Sequence, residues 1–94
     1  MIFQTKETKE LFDAILSIDT ATECGNFFED ICTVKELQDL SQRFQVARLL
    51  KSGKSYQEIS KETGASTATI SRVNRALVYG SGGYASVLAK LEDK

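Results

Sequence analysis

Apolar residues recur at helical spacing along most of the chain, and polar residues suited to capping interrupt them at intervals. From about Thr5 to Ile18, the positions Leu11, Phe12, Ile15, Leu16 and Ile18 alternate with charged ones, with Lys6 and Lys9 on the other side, which predicts a first helix. Asp19-Thr20 interrupts it. Thr20, followed three residues on by Glu23, fits a capping box that opens a short second helix with an apolar face of Phe27, Phe28 and Ile31. Thr33 and Glu36 repeat the pattern, and Leu37, Leu40, Phe44, Ala47 and Leu50 form a long stripe ending at Gly53, a residue suited to the C′ position. These three helices are expected to be mostly core. Ser55 and Glu58 make a further capping box for a helix of about eight residues, with Ile59 on its apolar face, that ends at Gly64. Ser66 is a good N-cap for the next, in which Ile70, Val73 and Leu77 supply a buried face as far as about Tyr79. Gly80-Ser81-Gly82-Gly83 is the one flexible stretch, and Tyr84, Val87, Leu88 and Leu91 suggest a last short helix. With no strand pattern, no proline and no internal repeat, the chain reads as all-α, with five to six helices.

Ninety-four residues leave room for one core, so residues 1–94 are expected to form a single domain. A chain this short buries a modest core, which leaves association with a second chain open. Histidine is absent, so Ser-His-Asp and Cys-His nucleophile systems, His-ligated zinc and His acid/base chemistry are excluded as usually built. No catalytic constellation remains, and no enzyme is expected. Cys24 and Cys32 are too few for a cysteine-ligated zinc site and read as buried thiols in a reducing compartment. The start, Met1-Ile2-Phe3-Gln4 with Lys6, Glu7, Lys9 and Glu10 behind it, lacks an apolar stretch of signal-peptide length, and no segment is apolar enough to span a membrane. A soluble, cytoplasmic protein with no membrane partner is expected.

The net charge of −1 conceals an asymmetry. Residues 1–42 hold three bases against nine acids, a net of −6, while residues 43–78 hold seven bases against two acids, a net of +5. The basic segment contains Tyr56 to Val73, which has the form of a helix-turn-helix: a short helix, a glycine that tolerates positive φ, and a second helix. Ile59, Ala65, Ile70 and Val73 would pack the pair together. The exposed face of the second helix then offers Thr67, Ala68, Thr69, Ser71, Arg72 and Arg75, small polar groups and bases of a kind that fits a major groove. Arg48, Lys51 and Lys54 could meet a DNA backbone or serve as solvated bases at a helix end. Tyr56 could bond a phosphate or pack half-buried.

From about Thr33 to Leu77 the chain resembles the tryptophan-repressor family. The resemblance is carried by Leu49-Leu50, the Ser55 to Ile59 cap region and above all Gly64-Ala65-Ser66-Thr67-Ala68-Thr69-Ile70-Ser71-Arg72, which follows that family's reading head. It is most similar to the tryptophan-repressor-like proteins of Gram-positive bacteria. The resemblance implies an intertwined homodimer in which the faces around Leu11, Phe12, Ile15, Phe27, Phe28 and Ile31 form an intersubunit core. It also implies that Thr67, Ala68, Thr69 and Ser71 lie at the groove, with Gln57 near a phosphate or base. In tryptophan-sensing members the arginine matching Arg72 meets the ligand carboxylate and a second arginine stacks on the indole; Arg43 is the candidate for the second, with a one-residue gap. Val73 stands where the sensor has a glycine that leaves room for the indole, and Ala76 where it has a serine. A candidate ligand pocket of Arg43, Arg72, Val73 and Ala76 is therefore filled by a β-branched side chain and short of a polar contact. These two departures argue against L-tryptophan as corepressor, and no cofactor is expected.

The reading that follows is a transcriptional regulator, expected to be a repressor, that binds double-stranded DNA as a homodimer on a pseudo-palindromic operator. Residues 1–54 would supply dimerisation helices, 55–79 the helix-turn-helix, and 80–94 a Gly-rich turn and C-terminal helix. Gln57, Thr67, Ala68, Thr69, Ser71, Arg72 and Arg75 are the expected DNA contacts. The alternative is a helical protein-interaction module that docks on transcription machinery.

Overall fold

The computed structural model describes residues 4–92; Met1–Phe3, on which part of the leader expectation rests, and Asp93 and Lys94 lie outside the described residues. Among the described residues six helices follow one another: α1 (Lys6–Leu16), α2 (Ala21–Ile31), α3 (Val34–Lys51), α4 (Tyr56–Thr63), α5 (Thr67–Tyr79) and α6 (Gly83–Glu92). The chain is all-α, as the periodicity predicts. It divides into two compact units, Met1–Leu37 and Gln38–Lys94.

In the first unit, the Thr5 hydroxyl caps α1 by accepting the Thr8 N–H at 3.1 Å. The helix stops at Leu16, two residues short of expectation. Ser17 donates both its N–H and its hydroxyl to the Ala14 carbonyl, and the Ile18 N–H closes onto Ile15, so the last turn tightens to i→i−3 bonds. Thr20 caps α2 through the Glu23 N–H, but the Glu23 carboxylate accepts from Asp19, one residue before the cap, so the expected box is offset by a residue. Thr33 and Glu36 form the full reciprocal box at the start of α3.

The N-terminal helices do not form the expected core: no side chain of α1 or α2 is fully buried. Phe12 is 40% exposed, Ile31 51% and Leu16 81%. Periodicity identifies an apolar face but not what covers it: Ile15, Phe27 and Phe28 are half-buried, and no residue of the face is fully covered. Phe27 and Phe28 meet edge to face, with ring centroids 5.6 Å apart. Cys24 and Cys32 are free and half-buried rather than buried.

The second unit holds the core. Val46 and Ala47 from α3, Ile59 from α4, Ala65 from the turn, Ile70 and Val73 from α5 and Leu88 from α6 are buried together, with Phe44, Leu49, Leu50, Leu77 and Tyr84 packed against them. On α3 the burial is concentrated at Val46-Ala47, while Leu40, placed on the expected stripe, is exposed. Gly53, at φ +91°, ends this helix: its N–H reaches the Leu50 carbonyl and that of Lys54 reaches Leu49, the paired bonds of a Schellman turn. Ser55 and Glu58 then cap α4 reciprocally, at 3.1 and 3.2 Å. The Ser55 backbone N–H, followed by its hydroxyl and by Lys54, holds the Glu58 carboxyl below the usual glutamate range. At the other end, α6 starts within the Gly-rich stretch, and a Lys51–Glu92 ion pair at 3.6 Å joins it to α3.

Candidate nucleic-acid interface

Helix α4, the Gly64 turn and α5 are the elements that position the candidate residues. The turn needs its glycine. Gly64 sits at φ +76°, and its N–H closes on the Ser60 carbonyl at 2.8 Å. A Cβ there would meet no atom within 4 Å, so the demand is conformational rather than steric. Gly64→Ala is expected to cost about 1–2 kcal/mol, the penalty of a left-handed residue with a side chain, read as a lower urea midpoint at unchanged slope.

Side chains that the sequence reading did not single out tie the turn further. The Ser60 hydroxyl donates to the Ala65 carbonyl at 2.8 Å, Thr63 Oγ1 donates to the Ile59 carbonyl at 2.7 Å, and the Ala65 N–H donates to Thr63 Oγ1 at 3.1 Å. Gln42 Nε2, from α3, donates to the Thr63 carbonyl at 3.2 Å. Of the carbonyls left open at the end of α4, those of Ser60 and Thr63 thus find partners within the protein. Ser60 and Thr63 could have been found from the habit of hydroxyls near a helix end to bond nearby backbone groups. For Gln42, 21 residues from its partner, no local signal exists.

Helix α5 is anchored by one face and free on the other. Ser66 caps it, accepting the Thr69 N–H at 3.1 Å and bonding the Thr69 hydroxyl at the same distance. Ile70 and Val73 are buried, whereas Thr67, Ala68, Ser71, Arg72 and Arg75 are exposed, and Gln57 is exposed in the first turn of α4. Thr69 is half-buried. With the inner face fixed in the core, the outer face presents hydroxyls, methyl groups and two guanidinium groups. This is a surface able to donate to and accept from base edges and to reach phosphates.

The residues grouped above as a candidate pocket separate into three places. Arg43 and Arg72 line one cleft of about 250 Å³ together with Ala68 and Thr69. Val73 is not in that cleft; it is 2% exposed and lies in the core. Ala76 lines a different, apolar cleft of about 460 Å³ with Phe44, Tyr84 and Val87 beside the Gly80–Gly83 stretch. Of the bases considered for backbone contact, Lys54 pairs with Glu58 at 3.8 Å and Lys51 with Glu92. Arg48 shares a third cleft with Lys51, Ser52 and Leu88. Among the described residues no cluster of three metal-ligating side chains occurs, and no helix is long and apolar enough to cross a membrane.

A short capped helix, a left-handed glycine turn and a second helix anchored by one face place this chain among the helix-turn-helix proteins of the all-α class. The family model of the Trp repressor protein matches residues 6–92. The uncharacterized protein YerC of Bacillus subtilis strain 168 is 50% identical over 88 residues, which cover 94% of this chain and 85% of YerC. A TrpR-like protein from Eubacterium eligens superposes with a TM-score of 0.92 at 50% identity, covering 95% of this chain and 92% of its own. A candidate Trp repressor from Staphylococcus aureus gives 0.91 at 48% identity, covering 97% and 91%. The chain therefore belongs to the Trp repressor family, a family of DNA-binding transcription regulators.

Proposed function

We propose that this protein is a homodimeric repressor that covers a pseudo-palindromic operator with two helix-turn-helix heads, and so blocks transcription by occupancy. The observation that carries the reading is α5 itself: a helix held by Ile70 and Val73 in the core, with Thr67, Ala68, Ser71, Arg72 and Arg75 left facing outward. Thr67, Ala68, Thr69 and Ser71 are assigned to base edges, and Arg72, Arg75 and Gln57 to the rim of the groove. The dimer is supported by the open apolar faces of α1 and α2, where Phe12, Leu16 and Ile31 stand in solvent in a single chain. In this reading residues 1–94 form one cytoplasmic domain, with 1–54 joining the subunits, 55–79 reading DNA and 80–94 closing the reading unit.

Two copies related by a two-fold axis place their half-sites one helical turn apart, ~34–36 Å, or a multiple of it. Val73 in the core supports binding without L-tryptophan, because its side chain fills interior space instead of leaving it to a ligand. The test joins two measurements. Light scattering at micromolar concentration should give twice the chain mass of 10.4 kDa. Capture of genomic fragments should enrich a two-fold symmetric site equally with and without L-tryptophan. A mass of one chain refutes the dimer, and enrichment that requires tryptophan refutes the reading of Val73.

A further inference from the structure

The cleft between α3 and α5 joins two bases that are far apart in the sequence, Arg43 and Arg72, with only Ala68 and Thr69 completing its lining. The position of Arg43 is unusual for a base. It lies one turn before Val46 and Ala47, on the stripe of α3 that carries the buried core positions, and is itself half-buried. An arginine at such a position extends its stem along apolar surface and delivers its guanidinium at the rim. Among the described residues neither Arg43 nor Arg72 is held in an ion pair, although Lys51 and Lys54 of the same basic segment are.

Two arginines that line one cleft and are held in no ion pair bring like charge to it, and an anion bound there lowers that cost. The size and lining of the cleft restrict what the anion can be. At about 250 Å³ it falls below the ~300–1,000 Å³ of ordinary small-ligand pockets, and its lining of two arginines, Ala68 and Thr69 holds no aromatic side chain, whereas such pockets are mainly apolar or aromatic. A planar fork of donors on each side matches the oxygens of a phosphate. Thr69 and Arg72 line the cleft from α5, whose outer face carries the proposed base contacts, so a group seated there lies at the edge of that face.

We infer that Arg43 and Arg72 clamp one backbone phosphate of the bound DNA, so that α3 takes part in DNA binding alongside the helix-turn-helix. The inference rests on the DNA-binding reading above. A phosphate held from α3 and α5 together fixes the depth and angle at which the reading helix enters the groove, without itself reading sequence.

The experiment measures DNA affinity of the full chain against salt concentration for the wild type, Arg43→Gln, Arg72→Gln and the double variant, on the enriched site and on an unrelated duplex. Arg43→Gln should weaken both duplexes equally, roughly tenfold, and lower the slope of log affinity against log salt by about 1 for each phosphate no longer neutralised. Because one phosphate is shared, the double variant should weaken binding clearly less than the two single effects combined. Arg43→Lys, which keeps the charge but not the fork, should fall in between, and it serves if Arg43→Gln lowers the melting temperature. Unchanged affinity and slope in Arg43→Gln, with a steep wild-type profile, would overturn the clamp and leave the DNA-binding reading standing. Additive effects would overturn the shared phosphate. A rise in wild-type melting temperature with L-tryptophan that disappears in Arg43→Gln would assign the cleft to a small carboxylate instead. A wild type that binds no duplex removes the functional reading and this inference with it.

Discussion

Raising salt from 50 to 200 mM is expected to weaken operator binding by this protein about 10³–10⁵-fold, the loss that accompanies release of counterions from ~6–10 neutralised phosphates. The net charge of the chain is −1, and from that figure alone no such dependence would be foreseen. What matters is where the charge sits. Residues 43–78 carry seven bases against two acids. Within that segment Lys51 and Lys54 are already paired with Glu92 and Glu58, which leaves Arg43, Arg48, Lys61, Arg72 and Arg75 in no ion pair among the described residues. Five such bases per chain, in the two chains of the proposed dimer, can supply phosphate contacts in the required number. The acidic segment, residues 1–42 at −6, opposes attraction at long range, an effect that screening with a Debye length of ~10 Å at 0.1 M confines to low salt. Fluorescence anisotropy on a labelled operator across that range checks the slope. A flat profile would mean that the basic face does not meet the backbone, and the assignment of Arg72 and Arg75 would go with it.

The outer face of α5 was legible in the sequence because everything that sets it is local. The spacing Ile70, Val73, Leu77 orients the helix, Ser66 starts it and Gly64 separates it from α4, and each of these is a short-range rule that tertiary packing had no reason to override. The caps at Ser55 and Thr33 were legible for the same reason. What covers an apolar face was not. Leu16 and Leu40 carry the same hydrophobic signal as Ile59, yet the first two are exposed and the third has no accessible surface, because burial depends on which elements come together and not on the stripe alone. The candidate site divides along the same line. Arg72 was found from the reading helix, but its meeting with Arg43 in one cleft, and the absence of Val73 and Ala76 from that cleft, depend on how α3 packs against α5. The same holds for the bond from Gln42 to the Thr63 carbonyl, which secures the turn from outside it.

Ile70→Ala is expected to destabilise the protein by about 2–5 kcal/mol, the range for removing a buried branched side chain and leaving a cavity. Ile70 has no exposed surface and belongs to the small cluster in which α3, α4, α5 and α6 meet. Against a total stability of ~5–15 kcal/mol for a small domain, that loss is a large fraction. The effect on DNA binding should exceed that of unfolding alone, because Ile70 lies directly after Ala68 and Thr69 and holds the N-terminal half of the reading helix against the core. A helix free to shift there presents its groups at the wrong depth even in molecules that remain folded. Ile70→Val, which removes one methylene, should cost only ~0.5–1.5 kcal/mol and keep operator affinity close to that of the wild type. Both are measured by urea unfolding at one fixed chain concentration, since a dimer gains stability with concentration. A cost below about 1 kcal/mol for Ile70→Ala would mean that the cluster repacks around the gap, and the core would then not be what fixes α5.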